Sequence, residues 1–249
     1  MLATEDLTIR FGGHAAVDGV SCVFQPGTLT SIVGPNGAGK TTYFNLISGQ
    51  LPATSGKVRL DGRDITRLAA PLRTRLGLGR AFQLTNLFPN LSALENVRLA
   101  VQVKSGKGLD LFSRTRGHRE LIDHAMAHLD AVSLADRAEA VAATRPHGDQ
   151  RKLEVAILLA LEPDIFMLDE PTAGMSVDEV PTILDIIAGI KQRRDKTILL
   201  VEHKMDVVRS LSDRIVVLHQ GRLVADGKPA EVINSDIVRE AYLGGAADA

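Results

Sequence analysis

Three things are scarce in this sequence, and each scarcity excludes a class of protein. One cysteine, Cys22, occurs in 249 residues. No disulfide can therefore form within the chain, and a reducing compartment suits it. Cys22 itself reads as a small buried residue on a strand, not as a reactive thiol. Neither sign of charge is in excess: 29 basic residues face 30 acidic ones, for a formal charge of −1. A dedicated nucleic-acid binder needs clustered positive charge to displace counterions from phosphates, so no nucleic-acid partner is expected. Long apolar runs are also missing. No stretch approaches the roughly 20 residues that cross a bilayer. The opening MLATEDLTIRF is acidic and strand-like, without the basic stretch and apolar run of a signal peptide. The expectation is a cytosolic chain, for which any membrane role must come through a partner.

What is present is ordinary in bulk and specific in pattern. Apolar content of 45% and charged content of 24% are average for a globular domain and supply a large core. Short β-branched runs alternate with helical patterns, which predicts an α/β fold. Strands are expected at 28–33, near 57–61, and at 164–168, 197–201 and 214–218, the last forming a hairpin with 222–226. A helix is expected at 40–48. The middle, about 84–162, is different, because helical periodicity dominates it. Ser92 and Glu95 have capping-box spacing and open a helix to about Val103. A basic, glycine-containing loop follows at 104–117. Leu121, Ile122, Ala125, Leu129 and Val132 then share one helical face. Ser176 and Glu179 form a second capping box, opening a helix to about Arg194, with Pro181 tolerated in its first turns. The predicted organisation is one domain over 1–244, with a core of 1–83 and 163–244 and an inserted helical subdomain at about 84–162. Residues 245–249 are expected to be a disordered tail.

The segment Gly34-Pro35-Asn36-Gly37-Ala38-Gly39-Lys40-Thr41, followed by Thr42, matches the phosphate-binding loop pattern between a predicted strand and a predicted helix. Glycines let consecutive backbone N–H groups turn toward phosphate oxygens, and the helix adds its positive end. Lys40 can reach the β- and γ-phosphates, and Thr41 offers a hydroxyl to Mg²⁺. The plain alternative is a glycine-rich βα turn. The loop alone does not separate kinases, GTPases and other ATPases, although the Asn-Lys-x-Asp-like base reader of GTPases is missing.

An apolar run, Asp164 to Leu168, ends in Asp169 and Glu170. A buried parallel strand delivers its last residues to the sheet edge where ligands bind. There Asp169 can hold Mg²⁺ and Glu170 can orient and deprotonate an attacking water. The alternative is a solvated acidic pair beginning a turn before Pro171. His203 follows the strand TILLVE and would reach the same edge, where it could contact the γ-phosphate. A lone histidine is more often structural.

Taken in order, these residues resemble the ATP-binding cassette (ABC) family over nearly the whole chain. The resemblance implies a P-loop NTPase fold with a RecA-like core, an antiparallel β subdomain and an inserted α-helical subdomain. Phe11 stands where that family stacks an aromatic residue on adenine. Residues 34–41 look like its Walker A loop, Gln83 like its Q-loop, and Asp169-Glu170 like the end of Walker B. Ala173-Gly174-Met175-Ser176 look like the D-loop and His203 like the H-loop. By resemblance Gln83 joins Thr41 and Asp169 at the Mg²⁺. Glu170, His203 and Lys40 are the expected catalytic groups. Phe11 and Gln83 could equally be a core residue and a loop amide.

Four stretches look like the ATPases of branched-chain amino acid importers: 81–100, 150–176, 201–208 and the ending VREAYLG at 238–244. The implied function is Mg-ATP hydrolysis that energises an importer of branched-chain amino acids or related small polar substrates. The implied partners are transmembrane permease subunits, a second ATPase subunit and, indirectly, a substrate-binding protein. The implied location is peripheral, on the cytoplasmic face of the membrane. Two other readings stand beside it. A non-transport ABC ATPase, DNA- or ribosome-associated, tends to carry coiled coils, zinc motifs or tandem cassettes. A small-molecule kinase has no need of the Q-, D- and H-loop series.

One segment departs from the family. Where it has Leu-Ser-Gly-Gly-Gln, this chain has Arg145-Pro146-His147-Gly148-Asp149. In the family this signature faces the nucleotide held by the opposite subunit. Pro146 offers neither hydroxyl nor backbone N–H. Asp149 is expected to add negative charge near an anionic ligand while suiting a helix N-terminus. Slow hydrolysis at this composite site is therefore expected, unless the rest of the helix start compensates.

Overall fold

The computed structural model describes residues 1–81, 87–106 and 115–235. In chain order the elements are β1 (Leu2–Phe11), β2 (His14–Phe24), β3 (Leu29–Val33), α1 (Lys40–Ser48), β4 (Ser55–Leu60) and β5 (Arg63–Asp64). Next come α2 (Ala70–Arg75), β6 (Leu78–Ala81), α3 (Ala93–Lys104), α4 (Thr115–Ala131), α5 (His147–Leu161) and β7 (Ile165–Asp169). The chain closes with α6 (Val180–Gln192), β8 (Thr197–Val201), α7 (Met205–Leu211), β9 (Arg214–His219), β10 (Arg222–Gly227) and α8 (Pro229–Val232). Contacts divide it into two compact units, one of residues 1–78, 164–170 and 191–249, the other of 79–163 and 171–190.

The first unit is built on two sheets. One is antiparallel, in the order β2-β1-β4-β5. The other runs β10-β9-β3-β8-β7-β6, and its last strand starts at Leu78, where the chain passes into the second unit. The strands β3, β7 and β8 are buried at every residue. That is why their sequences (LTSIV, IFMLD, TILLV) are mostly apolar and do not alternate, with Thr30, Ser31, Asp169 and Thr197 buried among them, as in parallel sheets covered on both faces. Register aligns their ends, with Ile32 opposite Val201 and Val201 opposite Asp169. Asp169 is thus the last residue of its strand, one position beyond the predicted run.

One core joins both sheets. Ile32, Met167, Leu199 and Val216 of the parallel sheet meet Tyr43, Phe44 and Ile47 of α1 and Leu2, Val17 and Phe24 of the antiparallel sheet. Inside it the Tyr43 hydroxyl lies 2.7 Å from Thr4 Oγ1, which also accepts the Cys22 N–H at 3.0 Å. Cys22 is buried on β2, and burial pushes its thiol up to about 11, the pattern of an inert residue. The far end of α1 is held by Arg73 of α2, which is 1% exposed. Its guanidinium donates to the last-turn carbonyls of Leu46 and Ile47 at 2.8 and 2.6 Å, and to Leu68 and Thr66 at 2.9 and 2.7 Å. Desolvation lowers its pKa to about 10.

The predicted 214–226 hairpin forms with a shorter loop. His219 belongs to β9, and Gln220-Gly221 alone make the turn, both at positive φ (48° and 76°). Such two-residue turns match the twist of the strands they join.

In the second unit α3, α4 and α5 pack together. Ser92 caps α3 by accepting the Glu95 N–H at 3.2 Å. Leu121, Ala125, Leu129 and Val132 are buried as their spacing predicts, and Ile122 is half-buried. The second capping box opens α6 four residues later than Ser176, and the helix ends at Gln192, two residues short of Arg194. No helix among the described residues is long and apolar enough to cross a membrane.

Candidate nucleotide-binding site

The loop between β3 and α1 is shaped by glycine. Gly34 sits at φ 150°, and a Cβ there would stand 2.1 Å from the Leu218 carbonyl oxygen. Gly39, at φ 95°, would place a Cβ 2.4 Å from the carbonyl oxygen of Ala16. Both positions combine positive φ with a backbone neighbour that cannot retreat, so only glycine fits. Gly39 opens α1 without any side-chain cap, and the first turn of α1 carries no acid. The helix end is left with unsatisfied N–H groups and a positive pole, the condition under which an anion binds.

A cavity of about 220 Å³ lies over this helix end, lined by Ala16, Asn36, Gly37, Ala38, Gly39, Lys40, Thr41, Thr42, Glu170 and His203. Seven of those ten were singled out in the sequence as phosphate-loop residues, and two more as catalytic. Ala16 was not. Its carbonyl oxygen lies against Gly39, a backbone neighbour that no residue-type signal could have revealed. A larger cavity, about 520 Å³, opens between 49–56, 66–69 and Arg73. It contains none of these residues, so size alone does not locate the chemistry.

Lys40 is 6% exposed, and its ammonium donates to the loop's own carbonyls, Gly34 at 2.7 Å and Pro35 at 2.9 Å. Burial lowers its pKa, opposed by the nearby carboxylates of Glu170 and Asp169. The lysine is therefore poised inside the loop, beside the acids. Asp169 is 1% exposed at the end of β7. Glu170 follows in the left-handed conformation (φ 49°), its N–H bonded to Val201 O at 2.9 Å. This turn aims its carboxylate at His203, with Oε1 2.8 Å from Nε2. A short bond from the His203 N–H to Glu202 Oε2, 2.8 Å, holds the start of that loop. An acid and a base thus share one hydrogen bond at the cavity wall, which suits proton management at an attacking water.

Other expected residues stand apart from this cavity. Phe11 is 53% exposed near the tip of the β1–β2 hairpin, paired with His14, so it is not a core residue. Gln83 lies outside the described residues, as do most of the basic loop at 104–117, the 238–244 ending and the 245–249 tail.

The 145–149 segment differs from its expectation in one respect. Pro146 is the N-cap of α5 and makes no side-chain cap. Asp149, however, does not project its charge outward. It is 5% exposed, with Arg137 Nη1 and Arg145 Nη2 each 3.2 Å from its Oδ2 and Lys152 Nζ 3.9 Å from its Oδ1. The Arg145 contact lacks hydrogen-bond alignment and is an ion pair only. Three cations compensate the acid that the sequence left exposed to an anionic ligand.

Comparison with known proteins decides the family. The ABC transporter family matches residues 17–173. The chain belongs to the ABC transporter family. It is an ATP-binding, ATP-hydrolysing cassette of the P-loop NTPase fold. Residues 222–248 match a second family, described as a branched-chain amino acid ATP-binding cassette transporter. The high-affinity branched-chain amino acid transport ATP-binding protein BraF of Pseudomonas aeruginosa is 39% identical, over 99% of this chain and 98% of its own length. The corresponding LivG protein of Escherichia coli is 38% identical over the same shares. Among solved structures, the ADP conformation of the ATP-binding cassette MJ1267 superposes with a TM-score of 0.81 at 27% identity, covering 98% of each chain. A dimeric post-hydrolysis state of MJ0796, bound to ADP and Pi, gives 0.80 at 26% identity over 92% of this cassette and 99% of that one.

Proposed function

We propose that this cassette energises an importer of branched-chain amino acids or related small polar substrates. It would lie at the cytoplasmic face of the membrane, against transmembrane permease subunits that work with a substrate-binding protein. The observation that carries the proposal is the full-length similarity to BraF and LivG, joined to a phosphate-loop cavity whose wall holds Glu170 and His203 in contact. The unit of 79–163 and 171–190 contains the 84–162 segment, which we assign as the helical subdomain that follows the permease.

The roles of the residues follow from their chemistry. Backbone N–H groups of 36–41 and the start of α1 would hold the phosphates of ATP, with Phe11 against the adenine. Lys40 would exchange its loop carbonyls for β- and γ-phosphate oxygens, a stronger, charge-assisted pairing. Glu170 would orient the attacking water and take its proton, and His203 would fix the Glu170 carboxylate and donate to the γ-phosphate. The donor set fits a magnesium ion, because the Thr41 hydroxyl and the Asp169 carboxylate supply one or two hard oxygen ligands and phosphate and water supply the rest. When bound, that ion would neutralise charge on the phosphates, and Gln83 is a further candidate ligand. A second cassette, itself or a paralogue, would present residues 145–149 and 173–176 to this nucleotide, and closure would exclude water.

The test is the molar mass of Glu170→Gln by light scattering, with and without Mg-ATP. The expected result is an ATP-dependent dimer. A monomer that binds ATP would show instead that a different cassette completes the site.

A further inference from the structure

Glu179 does more in the second unit than cap a helix. Its Oε2 accepts the Ser176 N–H at 3.1 Å and the Ser176 hydroxyl at 3.0 Å, the return half of a capping box. A capping acid requires nothing else. Here the second oxygen, Oε1, accepts Lys152 Nζ at 2.9 Å, from a different helix, α5. Gly148 and Lys152 are one turn apart, hence on one face of α5, and Glu179 lies across both. A Cβ on Gly148 would stand 2.4 Å from Glu179 Oε2. The one residue of 145–149 that keeps the family's glycine is therefore the one this carboxylate packs upon.

The contact is made to persist. Lys152 and Ser176 hold the Glu179 carboxyl below its usual range, so it stays charged at neutral pH. Lys152 also stands 3.9 Å from Asp149, which binds Arg145 and Arg137. A line of polar contacts thus runs from Ser176 to Glu179 by hydrogen bonds, and from Glu179 through Lys152 and Asp149 to the arginines by ion pairs. The other described backbone bonds of the 173–176 segment are local, such as the long 3.4 Å bond from Met175 N–H to Thr172 O.

We propose that Glu179 is a positioning residue for ATP hydrolysis, a joint that makes the 173–176 segment and the first turn of α5 move as one piece. The inference rests on the reading in which both segments meet the nucleotide of the opposite subunit. A reacting geometry assembled from two segments is lost when either drifts, and a misplacement of about 1 Å can cost about a hundredfold in rate. Tying them together removes one independent motion.

Two variants separate this role from simple capping. Glu179→Gln weakens both halves of the contact, whereas Lys152→Met leaves the capping box intact and removes only the link to α5. Hydrogen exchange on the full chain, with kcat and KM for ATP, supplies the readouts. In both variants exchange is expected to rise several-fold at 145–152 and 173–180 together. In both, kcat should fall about tenfold or more with KM within twofold, because the substrate's own loop lies in the other unit. The double variant should lose no more than the worse single one. Exchange confined to the start of α6, or a Lys152→Met enzyme with unchanged kcat and exchange, would overturn the proposal and leave Glu179 a helix cap. A wild-type chain that hydrolyses no ATP in any assembly would sink the importer reading instead, while the exchange pattern would still decide whether the joint exists.

Discussion

Among the described helices that begin without a side-chain cap, α1 and α5 solve the problem in opposite ways. Helix α1 opens after Gly39 with no acid in its first turn, and its neighbouring lysine is satisfied by loop carbonyls. Helix α5 opens after Pro146 with Asp149 in its first turn and Glu179 against Gly148. A helix N-terminus attracts negative charge either way. The first leaves that place for a ligand, while the second supplies its own carboxylates and then neutralises them with Arg137, Arg145 and Lys152. The lesson is that a positive helix end marks an anion site only where the protein has not already filled it.

Four perturbations break or sharpen this contrast. The largest effect belongs to the acid over α1: Glu170→Gln is expected to lower hydrolysis by about 10²–10⁴ while nucleotide binding persists, as phosphate release and fluorescent-nucleotide titration would show. Equal loss of binding would mean the carboxylate serves the loop and not the water. At α5, Asp149→Ala takes the shared carboxylate from Arg137, Arg145 and Lys152; Lys152 keeps Glu179, but the nearly buried Arg145 loses its partner, and the change should cost about 3 kcal/mol in thermal or denaturant unfolding. Nucleotide affinity at the phosphate loop should hardly change. Next, Arg73→Met leaves four carbonyls around the C-terminal end of α1 without their donor. A loss of about 2 kcal/mol is expected, measured the same way, and an unchanged midpoint would show that the carbonyls find water. The smallest is a gain. Pro146→Ser restores a hydroxyl at the uncapped start of α5 and should raise ATPase in the assembled transporter about tenfold, toward the worth of one preorganised donor. A rate that stays level or falls would show that the charge-compensated helix start already suffices.

The parts of the site that were legible in the sequence are those where one residue type admits one chemistry. Gly34 and Gly39 are forced by positive φ and by close backbone neighbours. Glu170 and His203 were placed separately at the ends of two strands, and the parallel register of β7 and β8 is what brings them to 2.8 Å. The buried strands match their expected positions nearly to the residue because three mostly apolar segments of five leave few alternatives. Elements of mixed pattern were not delimited. The eleven-residue β2 carries Asp18 and Gly19 and alternates irregularly around bulges. The short α2 and α7 lack the length for periodicity to show. For Asp149 the charge was visible, and so was the helical spacing of Arg145 and Lys152; the distant partner was not, because Arg137 lies twelve residues away and its pairing depends on how a 3-10 turn returns to the helix start.

The sequence by itself determined the phosphate loop, the acids that follow an apolar strand, and the family order of motifs, because backbone sterics and strand burial act within a few residues. Only the tertiary structure decided that Lys40 rests on its own loop, that Asp149 is neutralised, that Arg73 closes the far end of α1, and that Glu179 reaches across to Lys152. In each, a charge meets a backbone carbonyl or a side chain distant in the chain, and Asp149 adds to its distant Arg137 the two neighbours Arg145 and Lys152 one helical turn away. Electrostatic pairing acts through space, and residue types along a chain say which charges exist but not which ones meet.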